Sequence, residues 1–372
     1  MAIRPTEPVE EAERNGYAHF MLKEIFEQPA ALQRALDGLD AGAAPLPSGR
    51  WDVSRLERIV MVGMGTARHA ALVGKGAIQR LAGVPVDVEL ASAFRDGDVM
   101  LPREGLVIAV SQSGETGDTL AAVREARHHG LPVWAVTNVE GSTLAREADA
   151  VMYTCAGPER AVPSTKAYAA QLAVLYALAV ALGKARGTLD GDEVARWQRA
   201  LRALPTAVAQ VLERQDAVEK AAHRLVDREH AFYIGRGLDV ATALEGALKL
   251  KEVSYVHAEG YEAGEFRHGC MALINRGDPV VAVATQPHSS SRMASNVRDV
   301  AAGGAWVWLV TRDGQAGTGH NPWEVFPLPP VEPLLAPAVS VVPLQLLAYH
   351  TGLLRGCPID SPRNLTKSVT SE

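Results

Sequence analysis

The chain has 372 residues, a net charge of −6, 47% hydrophobic and 22% charged residues. At ~100–200 residues per domain this predicts two or three globular domains, and the composition excludes a disordered or fibrous chain. The acidic balance, the lack of a basic run and an aromatic content of only 5% leave nucleic acid neither a charged face nor stacking platforms.

The first stretch, MAIRPTEPVEEAERNG, is acidic and has no apolar core, so it reads as no signal peptide. A helical preface follows from Met21 to Leu36. Then the chain reads twice. RIVMVGMGTARHAAL from Arg58 and HAFYIGRGLDVATAL from His230 are each an apolar strand, a Gly-x-Gly turn and a helix opening. Gly63 and Gly65 match Gly235 and Gly237 at an offset of 172. The next strands, GLVIAVSQSG from Gly105 and DPVVAVATQP from Asp278, also match, as do VWAVTN and VWLVTR, where Thr137 and Thr311 lie 174 apart. Continuous apolar strands of this kind suit a parallel sheet covered on both faces. The expected fold is therefore α/β, with two doubly wound parallel-sheet units in tandem. The expected divisions are an N-terminal helical segment (1–45), a first unit (46–188), a helical connection (189–226), a second unit (227–356) and a tail (357–372) expected to close the active site. The apolar run from Leu172 to Leu182 is shorter than the ~17–25 residues of a membrane span and reads as a core helix. Cys155, Cys270 and Cys357 are far apart and in no CxxC pair, which argues against structural zinc and a disulfide framework and for a reducing cytoplasm.

Five places carry residues suited to chemistry. Ser111-Gln112-Ser113-Gly114-Glu115-Thr116 lies between a strand and a helix, where hydroxyls, free N–H groups and the helix dipole favour an anion; a plain capping turn is the alternative. No Gly-Lys-Ser/Thr follows, so it is no nucleotide P-loop, and Gly63-x-Gly65 lacks the third glycine of a dinucleotide fingerprint. Val162-Pro163-Ser164-Thr165-Lys166 offers two hydroxyls at a helix start, again a cap or a ligand contact. Glu245, Lys249 and Glu252 share one helix face, as a solvated salt-bridge ladder or as an acid/base pair. The stretch from His257 to His268 holds two His and three Glu, but without HExxH and with Gly260 and Gly264 breaking a helix, a metal is not expected; His268 alone is the sharper candidate. Lys367 becomes a Schiff-base nucleophile only if burial or a neighbouring charge tunes it.

Taken together, MLKEIFEQP, SQSGETGDTL, the PSTKAY region, ALEGALKLKEVSYVHAEGYEAGEFRHG, LQLLAYHTGLLRG and PRNLTKSV resemble one family in its order, from Met21 to Glu372. That family is the isomerase half of glutamine–fructose-6-phosphate aminotransferase (glucosamine-6-phosphate synthase), a tandem pair of sugar-isomerase (SIS) domains. The resemblance implies a phosphate cradle from Gly65, Thr66, Ser111, Gln112, Ser113 and Thr116, with Val162 and Ser164 lining the sugar site. It implies that Glu252 shuttles a proton between C1 and C2, assisted by Lys249. It further implies that His268 opens the sugar ring from a neighbouring subunit of a homodimer, and that Lys367 forms a Schiff base at C2. No cofactor and no metal are implied. The implied activity interconverts fructose 6-phosphate plus ammonia with glucosamine 6-phosphate, in the synthase or the deaminase direction. The alternatives are a 6-phospho-fructosamine deglycase and a sugar-phosphate sensor without turnover. Ala67 replaces the family's usual serine, Met64 a cysteine and Cys270 a proline, and Arg160 and Pro163 also depart from the pattern. A ~200-residue glutaminase unit does not fit in 372 residues, so ammonia is expected free or from a separate glutaminase.

Overall fold

The computed structural model describes residues 14–40, 46, 52–97, 101, 104–312 and 323–370. The residues before Arg14, including most of the stretch read as no signal peptide, lie outside these. Two helices, α1 (Phe20–Phe26) and α2 (Gln28–Asp40), precede the first sheet. That sheet alternates β1 (Arg58–Gly63), α3 (Gly65–Ala82), β2 (Val86–Leu90), α4 (Ala91–Asp96), β3 (Gly105–Ser111), α5 (Gly117–His128), β4 (Val133–Thr137), α6 (Thr143–Glu147) and β5 (Ala150–Tyr153), and α7 (Lys166–Ala185) closes it. Three helices connect the halves: α8 (Gly191–Arg202), α9 (Leu204–Leu212) and α10 (Gln215–Ala222). The second half runs β6 (His230–Gly235), α11 (Asp239–Ser254), β7 (His257–Glu262), β8 (Pro279–Ala284), α12 (Ser290–Ala302), β9 (Trp306–Arg312), β10 (Glu324–Leu328) and α13 (Pro337–Leu354).

Both sheets are five-stranded and parallel, and their orders correspond. The first is β2-β1-β3-β4-β5 and the second, read from its other edge, β7-β6-β8-β9-β10. The internal repeat is thus a repeat of topology. Strand side chains alternate between two faces. Ile59 and Met61 of β1 enter one core shared by both halves, whereas Val60 and Val62 enter a separate outer cluster. In β8, Val281 and Val283 face the shared core and Val280 and Ala282 an outer one. The two inner faces therefore share one continuous apolar interior, and the equivalent helices α3 and α11 pack against each other across it.

Helix α7 and the run Pro333–Leu354 are long and apolar enough to cross a membrane, but 89% and 100% of their apolar windows lie inside the protein. They are the buried core helices expected of apolar segments without a polar face.

Candidate active site

In a doubly wound sheet the connections leave β1 and β3 on opposite faces, which opens a crevice at their carboxyl ends. β1 ends at Gly63, where a Cβ would lie 3.1 Å from Arg68 N, and Gly65 turns the chain with φ +50°. These two glycines let α3 start immediately beside the sheet. From β3, Ser111 opens the loop to α5. This loop is folded by its own side chains: Ser111 Oγ accepts from Gly114 N–H at 3.1 Å and Ser113 Oγ from Glu115 N–H at 3.2 Å. Gly114 has φ +67°, and a Cβ there would lie 2.2 Å from Ser142 Oγ. The Glu115 carboxylate turns away and accepts from Thr143 N–H at 2.8 Å; that hydrogen bond holds it below the usual carboxylate range. The crevice is left with hydroxyls, N–H groups and the start of α5, a setting that favours an oxyanion.

The acid–base groups come from the other half. Glu245, Lys249 and Glu252 share one face of α11; Glu245 and Lys249 are buried and Glu252 is half-buried, because α11 lies against α3, β6, β7 and α13. Lys249 Nζ lies 2.5 Å from Glu252 Oε2 and 3.6 Å from Glu245 Oε1. Burial by itself pulls the lysine down, but Glu252 and Glu245 outweigh it and hold the ammonium above its ordinary value. Glu245 also reaches the first half. It accepts from the Thr66 hydroxyl at 3.0 Å and meets His69 Nδ1 at 2.7 Å. The Gly-Thr turn is thereby wired to the lysine beside Glu252.

The tail folds back over this crevice. Asp360 accepts from Phe20 N–H at 2.9 Å and Met21 N–H at 2.8 Å, and its carbonyl accepts from Val162 N–H. The Arg363 guanidinium stacks 4.1 Å from the Tyr255 ring, and the Val369 carbonyl accepts from Gly117 N–H at 3.1 Å, at the start of α5. Lys367 Nζ donates to Glu159 Oε2 at 2.6 Å and to the Ala161 carbonyl at 2.7 Å. Glu159 is buried; burial would raise its pKa, but Lys367 and the N–H groups of Ala167 and Thr165 overcome that and hold it below the ordinary value. Behind it lies Glu24 of α1, whose carboxyl is pushed up to about 8 by burial and by Glu159.

These parts surround one cavity of 170 Å³. Thr66, Ser111, Gln112, Ser113 and Thr116 line one wall, and Val162 and Ser164 another. Lys249, Glu252 and Lys367 complete it. Gly65 shapes the turn without lining the cavity. Met64 and Ala67, two of the departures, also line it. His268 does not: it is exposed on a 3-10 turn, Glu265–His268, after β7. The stretch His257–His268 is an edge strand and that turn, and no cluster of three or more potential metal ligands occurs among the described residues. Reading the sequence missed Glu24, Glu159 and His69 as part of the site. Each sits inside or next to a segment singled out for other reasons, but nothing in the local pattern shows that distant backbone folds onto it.

Comparison with known proteins bears on both halves. The SIS domain model matches residues 53–181 and again 224–355. The chain belongs to the SIS family. Its two SIS domains are the two sheets with their helices. A glutamine–fructose-6-phosphate aminotransferase (isomerizing) of Symbiobacterium thermophilum is 50% identical over 368 residues, 97% of this chain and 60% of that protein. One of Thermococcus kodakarensis is 46% identical over 98% of this chain and 60% of its own length. The chain thus spans about 60% of the length of the curated relatives it matches. The solved C-terminal domain of glucosamine-fructose-6-phosphate aminotransferase from Francisella tularensis is 34% identical, with a TM-score of 0.88, covering 94% of this SIS chain and 99% of that one. A glucosamine-6-phosphate deaminase structure from Thermotoga maritima, at 20% identity and TM-score 0.74, shares the fold.

Proposed function

We propose that this tandem SIS chain interconverts fructose 6-phosphate, with ammonia, and glucosamine 6-phosphate. The observation that carries the reading is convergence: the hydroxyl loop Ser111–Thr116, the carboxylate Glu252 and the amine Lys367 face one cavity. The phosphate sits on the loop and on Thr66, and the sugar chain lies along Val162 and Ser164. Lys367, once deprotonated, attacks the C2 carbonyl and releases water as the imine forms. Ammonia displaces the lysine and leaves an imine at C2. That imine acidifies C1. Glu252 takes a proton from C1 and delivers one to C2, while the C1 hydroxyl proton passes to the nitrogen. The C1 alcohol becomes an aldehyde and the C2 imine an amine. One base serving two adjacent carbons needs a fixed position, which the buried Lys249 ammonium supplies.

His268, exposed in one chain, belongs in this scheme to the site of a second copy, where it opens the sugar ring; the working unit is a homodimer. Ammonia arrives free or from a glutaminase. The three cysteines are unpaired, in keeping with a reducing cytoplasm. Purified chain is incubated with glucosamine 6-phosphate, and separately with fructose 6-phosphate plus ammonium. Turnover in at least one direction, lost in Lys367→Ala and Glu252→Gln, is expected. Binding without turnover would leave a sensor, and turnover only of a 6-phospho-fructosamine would leave a deglycase.

A further inference from the structure

Because the second sheet has the order of the first, it has the same crevice, between the ends of β6 and β8. Asp239 stands 172 positions after Ala67, and Thr285 stands 173 after Gln112, the offset at which β8 lies beside β6 as β3 lies beside β1. Gly237, like Gly65, turns the chain with a positive φ, +58°. In the first crevice Ala67 and Gln112 both line the open cavity. In the second, the corresponding pair is joined. Asp239 Oδ2 accepts from Thr285 N–H at 2.7 Å, and Oδ1 accepts from the Thr285 hydroxyl at 2.5 Å. The side chain is 1% exposed. Burial pushes its carboxyl up to about 6 against hydrogen bonds from Thr285 and Gln286.

A carboxylate and a phosphate present the same face to such donors, oxyanion lone pairs toward N–H and O–H groups at a helix start. The rest of the second loop has diverged in the matching direction. Gln286 stands where Ser113 does, without a hydroxyl, and Pro287 stands where Gly114 does, without an N–H. We infer that Asp239 is a resident anion, which fills in the second domain the place a phosphate takes in the first and so closes that crevice to phosphorylated ligands. The same contact ties the first residue of α11, the helix that carries Lys249 and Glu252, to the end of β8. The duplicated fold thus has one copy that binds and one that is latched by its own carboxylate.

The inference rests on the first crevice being a phosphate site. The test is the stoichiometry of inorganic phosphate binding to the full chain, followed by phosphorus NMR titration. Wild type is expected to bind one equivalent. Asp239→Ala, checked as folded by circular dichroism, is expected to gain a second, weaker one. Ala67→Asp, which builds the same resident carboxylate in the first crevice, is expected to lose binding, and it decides the matter if Asp239→Ala does not fold. A wild type that binds none overturns the reading of the first crevice and the inference with it. A wild type that binds one, with Asp239→Ala also binding one or Ala67→Asp keeping wild-type affinity, overturns the resident anion alone. A wild type that binds two does so as well.

Discussion

Lys367 Nζ donates to Glu159 and to the Ala161 carbonyl, and an amine attacks a carbonyl only through a free lone pair. Its proton must leave before C2 can be attacked, and Glu159 is the carboxylate in contact with it. Glu159→Gln keeps the shape and removes that charge. We expect kcat to fall by about 100- to 10,000-fold, the typical range for one positioned acid–base group, with a smaller change in KM. Hydrogen exchange should rise over residues 363–370, because the anchor of the tail is weakened. Unchanged exchange and unchanged kcat would remove Glu159 from the mechanism. Glu24 gives a second residue-scale test. Its folded-state pKa, about 8, lies above the ordinary 4.5, so it stabilises the fold while protonated. That contribution is complete below pH 4.5 and is lost as pH rises through about 8. Wild type should therefore lose about 1 kcal/mol more than Glu24→Gln between pH 7 and 9 in urea unfolding. Equal losses would contradict the assignment.

Among the elements, the central strands were legible and the edge strands were not. β1, β3, β6 and β8 read as unbroken apolar runs because helices cover both of their faces. β2, β5, β7 and β10 are the edges of the two sheets. Most of their residues are only partly buried, their patterns are short and mixed, and HAEGYE, which stood out only for its His and Glu residues, is strand β7. The glycine within it, Gly260, reads as a helix breaker and proves to be a packing residue. A Cβ there would lie 2.8 Å from the Leu244 Cα on α11, a backbone atom that cannot move aside. Gly260→Ala should cost about 1–3 kcal/mol of stability, read from the urea midpoint, whereas Gly191→Ala, with nothing within 4 Å, should be near neutral. Equal effects would mean that β7 shifts freely off α11. Helix α11 shows the same limit in the site: the spacing of Glu245, Lys249 and Glu252 was legible, but their burial was not. It depends on α3 arriving from the other half, a contact between residues far apart in the chain.

For the whole molecule, duplication explains most of the architecture and divergence explains the site. Two sheets of one order back onto a common core, so each brings a crevice, yet only the first has the hydroxyl loop and only the second has Glu252. One cavity therefore needs both halves and the tail, and neither half alone assembles it. The repeat was visible from Gly63 and Gly235 onward, and the resemblance to a sugar-isomerase family located the separate pieces. A tail over the site was expected, but Glu159 as the partner of Lys367 was visible from neither. The central claim is that Lys367 meets the C2 carbonyl of a phosphorylated ketose in this cavity. Borohydride reduction in the presence of fructose 6-phosphate, followed by peptide mass analysis, tests it most directly. The account predicts one reduced adduct, on Lys367, lost when Thr116→Val weakens the phosphate cradle. No adduct, or an adduct on another lysine with Lys367 unmodified, would contradict it.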